Sequence, residues 1–177
     1  DPHVALLRLD KLMKISKKIA GSCHGLTHAI GHMGYKKYGD LGTTTSYQDD
    51  VCGAGYTHGV IEAYFESEAD IESKYLSICA WNDGTCVHAI GHGLMYYKDG
   101  EIPAALPYCD KFPTASQQIY CSEGVFMENF EANSLTHQPK YLDPNNPFYP
   151  CMNYYGAYRE VCLHYSGRYI VRLMNND

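Results

Sequence analysis

The chain has 177 residues, 45% of them hydrophobic and 19% charged, which describes a folded protein able to bury a core. A net charge of −6 at pH 7, with no stripe of Lys or Arg, argues against a nucleic-acid partner. No apolar run approaches the ~20 residues that a transmembrane helix needs.

Apolar residues recur mainly at helical spacing and period-2 alternation is scarce, so an all-α fold is expected. A first helix is predicted over about 4–20, carried by Val4, Leu6, Leu7, Leu9, Leu12, Met13, Ile15 and Ile19. A second spans about 23–38 and ends at Gly39. Leu41 to Asp50 reads as a loop, with Asp49 or Asp50 capping a third helix near 51–66. A fourth at about 69–80 stops at Asn82-Asp83-Gly84, and a fifth spans about 85–98, stopped by Gly100. A short sixth at about 101–111 has Pro103 in its first turn, and a seventh spans about 115–132 after Pro113. Residues 133–150, with Pro139, Pro144, Pro147 and Pro150, read as a long Pro-rich loop, and one or two helices finish the chain from about 151 to 174.

A spacing of 30 residues runs through this helical pattern. His28 with His32, His58 with Glu62, and His88 with His92 are i,i+4 couples, the first and third within the same pentapeptide His-Ala-Ile-Gly-His. Ile30, Val60 and Ile90 match as well, as do Ala29, Gly59 and Ala89. Such a period predicts a curved helical-repeat array or a closed helical bundle, with residues 1–177 as a single all-α domain of about five helix-hairpin units. The last two units diverge. Cys121 echoes Cys52, which sets Met127 level with His58 and Glu128 close to it, while Cys162 echoes Cys86, which sets His164 in the place of His88 and Arg168 in that of His92.

The eight cysteines are even in number and contain no Cys-x-x-Cys, so zinc ribbons and thioredoxin-type pairs lack their signature. Four disulfides in an oxidising compartment are expected, giving a disulfide-stapled fold that is secreted, periplasmic or facing the exterior. A start at Asp1-Pro2 without Met fits a processed secreted product or a shortened chain. Position suggests Cys23 with Cys52, Cys79 with Cys86, Cys109 with Cys121 and Cys151 with Cys162, one connectivity of the 105 that eight cysteines allow. These bridges would offset the many glycines inside the helices, each of which costs roughly 1 kcal/mol relative to Ala.

On a helix, residues i and i+4 share a face, so each couple aims two ligand-type groups the same way. If the second helix of each unit lines the inside of the array, then His28, His32, His58, His88, His92 and His164 face a common axis as metal ligands. Glu62 and Glu128 join them as ligands or as catalytic bases acting on a bound water. So many donors exceed the needs of one ion, which implies a mononuclear site with supporting partners or a dinuclear one. The competing reading makes the histidines a hydrogen-bonded ladder between helices. His24, His3 and His137 are expected to be structural, bonded to backbone carbonyls or lying in tail and loop.

Imidazole-rich sites suit copper, zinc, iron and nickel, and oxidised cysteines withdraw thiolate, so copper is the first choice, then zinc, then iron. The zincin motif fails because Ala29 and Ala89 stand where its glutamate is required. The function expected is a metal-dependent oxidoreductase. A non-catalytic metal carrier is the alternative, and a repeat scaffold binding a protein partner within a larger assembly is the third reading.

Overall fold

A computed structural model describes residues 1–79, 83–131 and 138–175. Among these the chain is helical with no strand, and all eight cysteines are in disulfides. The connectivity is the sequential one: Cys23–Cys52, Cys79–Cys86, Cys109–Cys121 and Cys151–Cys162. The chain falls into two compact units, Asp1–Lys74 and Tyr75–Asp177.

The first unit holds α1 (Pro2–Met13), α2 (Lys17–Gly21), α3 (Cys23–Tyr38), α4 (Leu41–Thr45), α5 (Gly55–Ser67) and α6 (Ile71–Lys74). The single helix expected over 4–20 is two. Ser16 takes an extended backbone and its hydroxyl accepts from the Ile19 amide, so it caps a new helix instead of continuing the old one. Gly39 ends α3 in the left-handed conformation, at φ 66°, with its amide donating to the Tyr35 carbonyl. Asp40 then caps α4 through the Thr43 amide, which makes a short helix of part of the expected 41–50 loop.

The third long helix begins at Gly55, not near 51. Cys52, Gly53 and Ala54 all have positive φ (58°, 70° and 59°), so the chain coils the wrong way for a right-handed helix until Gly55. Asp49 accepts from the Val51 amide and holds the turn before this run. Leu6, Tyr56 and Val60 form the core of the unit, with Ile30, Tyr35, Leu41 and Tyr47 packed around them.

The second unit holds a 3-10 turn (Tyr75–Ser77), α7 (Gly84–Tyr97), α8 (Ile102–Cys109), α9 (Ala115–Glu131), a second 3-10 turn (Cys151–Asn153) and α10 (Gly156–Asn175). The helix expected at 69–80 is thus a four-residue helix followed by a tighter turn, with position 80 outside the described residues, as is Asn82 of the turn signal. Asp83 caps α7 through the Cys86 amide. The Gly100 amide reaches back to the Met95 carbonyl at 2.7 Å, closing that helix in a Schellman-type turn.

Residues 138–150 make turns and bends, as expected of the Pro-rich loop, while 133–137, with His137, lie outside the described residues. Asn129, buried on α9, fixes the loop by accepting from the Tyr141 amide and donating to the Tyr141 carbonyl.

In each unit one pair of long helices meets at glycines. A Cβ on Gly31 would overlap the Tyr56 carbonyl, and one on Gly59 would overlap the His28 carbonyl. In the second unit a Cβ on Gly91 would overlap the Cys121 carbonyl, and one on Gly124 the His88 carbonyl. Backbone therefore packs on backbone, α3 on α5 and α7 on α9, and glycine is required at these crossings.

Candidate metal centre

The close crossing in the first unit aligns two stripes of side chains, His24, His28 and His32 on α3 and His58, Glu62 and Glu66 on α5. His24 Nδ1 lies 2.6 Å from the Cys52 carbonyl oxygen, which the left-handed turn before α5 presents to it. A carbonyl only accepts, so this nitrogen carries the proton and Nε2 carries the lone pair of the neutral ring. His28 Nδ1 stands 2.8 Å from Glu62 Oε1, an ion-pair contact that favours a proton on Nδ1. The two Nε2 atoms then face each other at 3.0 Å. His58 Nδ1 is 3.3 Å from the same His28 Nε2.

Two bare lone pairs so aimed would repel, so the approach takes either a proton on one Nε2, with His28 as an imidazolium against Glu62, or a metal ion among the rings. Two nitrogens bound to one tetrahedral zinc at 2.0–2.1 Å stand about 3.3 Å apart, close to both separations. His24, His28 and His58 thus form a cluster that could hold a metal ion. His28 and His58 are buried, whereas His24 is only half-buried and marks the side facing solvent.

Glu62 is fully buried and bridges two histidines, with Oε2 2.7 Å from His32 Nε2. Burial alone would push its carboxyl up. The charges and hydrogen bonds of His28 and then His32 outweigh burial and hold it well below the usual carboxylate range. His32 faces this carboxylate with Nε2 and, on its other side, has Nδ1 4.0 Å from Glu66.

In the second unit the buried His92 directs Nδ1 to Glu128 and Nε2 to His88 Nε2, 3.1 Å away. Glu123 Oε2 lies 3.9 Å from His88 Nδ1.

Comparison with protein-family models, curated proteins and solved structures gave no match.

The expected residues are therefore not all brought together. His164 is exposed on α10, its ring edge-on to Tyr165. The buried face of α10 runs through Val161, Cys162, Tyr165, Ser166 and Tyr169, and a helix that turns those positions inward turns 164 away. Arg168 pairs with Glu131 at the surface. The register carried by the Cys52–Cys121 echo also shifts. Gly59 and Gly124 make the same contact, with the carbonyls of His28 and His88, so Glu123 stands where His58 does and Met127 where Glu62 does.

The backbone-carbonyl bond expected of His24 is present, and it is what leaves the other ring nitrogen to the cluster. The signal in the sequence is its i,i+4 relation to His28, the same spacing that singles out the other couples. Glu123 has no such signal, because its place follows from the Gly124 crossing.

Proposed function

We propose that this protein is a metalloprotein of an oxidising compartment, secreted or periplasmic, that binds a transition ion through His24, His28 and His58. The observation that carries the reading is the convergence of His24, His28 and His58, with two Nε2 atoms 3.0 Å apart on rings whose Nδ1 atoms face the Cys52 carbonyl and Glu62. Glu62 acts as the partner that orients His28 and raises its basicity, and Glu128 does the same for His92, in place of the catalytic-base role that the sequence suggested. Every cysteine is in a disulfide, so the donors on offer are imidazole and carboxylate. That donor set suits copper first, then zinc and iron.

Three imidazoles leave a coordination position for an outside ligand, and the half-buried His24 gives it a way in. We therefore favour a metal-dependent oxidoreductase over a closed carrier site. The test is metal analysis of the untagged chain, purified with its disulfides intact and loaded separately with copper and zinc. Stoichiometric binding that falls at least tenfold in affinity in His24→Ala and in His28→Ala supports the reading. Azide or cyanide should shift the spectrum of the copper-loaded protein. No stoichiometric ion, or full binding by both variants, overturns metal binding at this cluster. An anion-insensitive spectrum would make the site a carrier.

A further inference from the structure

We propose that the outward face of α1 docks on a membrane surface of anionic lipid, with Val4 and Leu7 entering the interface and Arg8 and Lys11 meeting the phosphates.

A helix that packs against a core on one side is ordinarily polar on the other. α1 packs through Pro2, Leu6 and Leu9, and Leu6 lies in the core of the first unit beside Tyr56 and Val60. Positions 4, 7, 8 and 11 fall within a sector of about 100° directly opposite that packed side. Val4 there is 45% exposed and Leu7 49%, and Arg8 and Lys11 are exposed with them. Leu12, 44% exposed, flanks this face, and Ile15, 81% exposed, stands just past the end of the helix. α1 is thus apolar on two sides, and packing within the first unit accounts for one of them.

Charge points to what covers the other. Five of the fourteen lysines and arginines fall within residues 8–18, against one of the twenty acids, in a chain whose net charge is −6. Lys14 is paired with that acid, Asp10, at 2.7 Å. Arg8, Lys11, Lys17 and Lys18 are exposed and make no ion pair among the described residues. Charges are screened over ~8 Å at physiological salt, so this cluster acts on a nearby surface despite the negative charge of the whole.

The occupant is therefore anionic and takes up apolar side chains. A convex helix face that mixes valine and leucine with cations suits a lipid interface. The apolar side chains enter the boundary between headgroups and acyl chains, and the long basic ones reach past them to the phosphates. The groove of a protein partner asks for an unbroken apolar line at helical spacing, which Arg8 and Lys11 interrupt. Among the described residues no helix is long and apolar enough to cross a membrane, so the contact is with its surface. Docking of this kind needs no metal at the histidine cluster.

The test is flotation of the full chain, disulfides intact, with vesicles of phosphatidylcholine alone and of phosphatidylcholine mixed with phosphatidylglycerol. Binding to the mixed vesicles only, lost at high salt, is expected. Arg8→Glu/Lys11→Glu should weaken it at least tenfold, since each cation near an anionic surface is worth about fivefold. Val4→Ser/Leu7→Ser should weaken it about tenfold through lost apolar burial. All four positions are exposed, so both variants should keep the helicity of the wild type by circular dichroism. Lys36→Glu/Lys37→Glu, at exposed positions in the last turn of α3, should bind as the wild type does. An equal loss in that variant overturns the proposal, because any pair of cations would then serve. Flotation of the wild type with neither vesicle, or equally with both, overturns it, as does full binding by both α1 variants. Retention on poly-glutamate without vesicle binding overturns it too, and makes the face a docking site for an acidic protein.

Discussion

His24 and His28 point the same ring nitrogen at each other, Nε2 to Nε2, at 3.0 Å across one turn of α3. Neither ring can relieve this by changing tautomer without a cost. His24 would lose its bond to the Cys52 carbonyl, and His28 would turn a lone pair toward the buried Glu62. The arrangement favours a cation between the rings, either a proton on one Nε2 or a metal ion, which the cluster could hold.

Glu62 supports that preference, and Glu62→Gln should weaken metal binding about 10–100-fold, the usual effect of losing a carboxylate behind a histidine ligand. Titration with a competing chelator measures it. The same variant loses the bridge to both His28 and His32, and its stability toward urea should fall by on the order of 3 kcal/mol. Unchanged affinity would remove Glu62 from the centre.

Gly59→Ala would put a methyl group into the His28 carbonyl. The gain of about 1 kcal/mol in helix propensity is smaller than the backbone displacement it forces, and a net loss of about 2 kcal/mol is expected. Gly167 lies in α10 with nothing within 4 Å of where an alanine methyl would sit, so Gly167→Ala should stabilise by up to about 1 kcal/mol. Opposite shifts of the urea midpoint check the pair together.

Tyr56 is buried, and its hydroxyl donates to the Thr44 carbonyl at 2.8 Å. Burial, followed by the neighbouring Tyr38 and Tyr47, pushes its pKa up to about 12. An unfolded chain ionises this phenol near pH ~10, ahead of the folded one. The unfolded state therefore loses its proton first, and stability that is complete below pH ~10 declines as pH rises toward about 12. Tyr56→Phe should remove this part of the alkaline decline and lower neutral-pH stability by about 1 kcal/mol. Parallel alkaline limbs for the two proteins would contradict the assignment.

The Cys23–Cys52 bridge joins positions 29 apart and lies beside the histidine cluster, because the Cys52 carbonyl holds His24. Replacing both cysteines by serine should cost about 3.5 kcal/mol from the chain entropy released on unfolding. It should also weaken metal binding more than removal of Cys151–Cys162 does, when both are compared by calorimetry. Equal effects on binding would show that the bridge does not position His24.

The long helices are legible from apolar spacing, and so are their ends wherever a cap is spelled out, as at Gly39 and Asp83. The disulfide pairing is legible too: three bridges close short hairpins, and Cys23–Cys52 joins similar positions on neighbouring helices. The failures are local. Ser16 splits a helix whose hydrophobic pattern runs straight through it, because a hydroxyl competing for a backbone amide leaves no trace in periodicity. The late start of α5 depends on three left-handed residues, of which only Gly53 announces itself.

The histidine couples are visible as donors on one helix face, since i,i+4 geometry is a property of the helix alone. Which nitrogen meets which is a property of how two helices cross. The crossing is set by backbone contact at Gly31 with Gly59 and at Gly91 with Gly124, and a shift of one turn there changes every partner. That is why identical pentapeptides behave differently. His32 turns to Glu62 while its counterpart His92 faces another imidazole, and His24 joins a cluster that spacing alone assigns to His32. Donor type and helix face are written residue by residue along the chain. The site is decided by packing between residues tens of positions apart, where a carbonyl, a carboxylate and a glycine together choose which ring nitrogen each histidine turns to its neighbours.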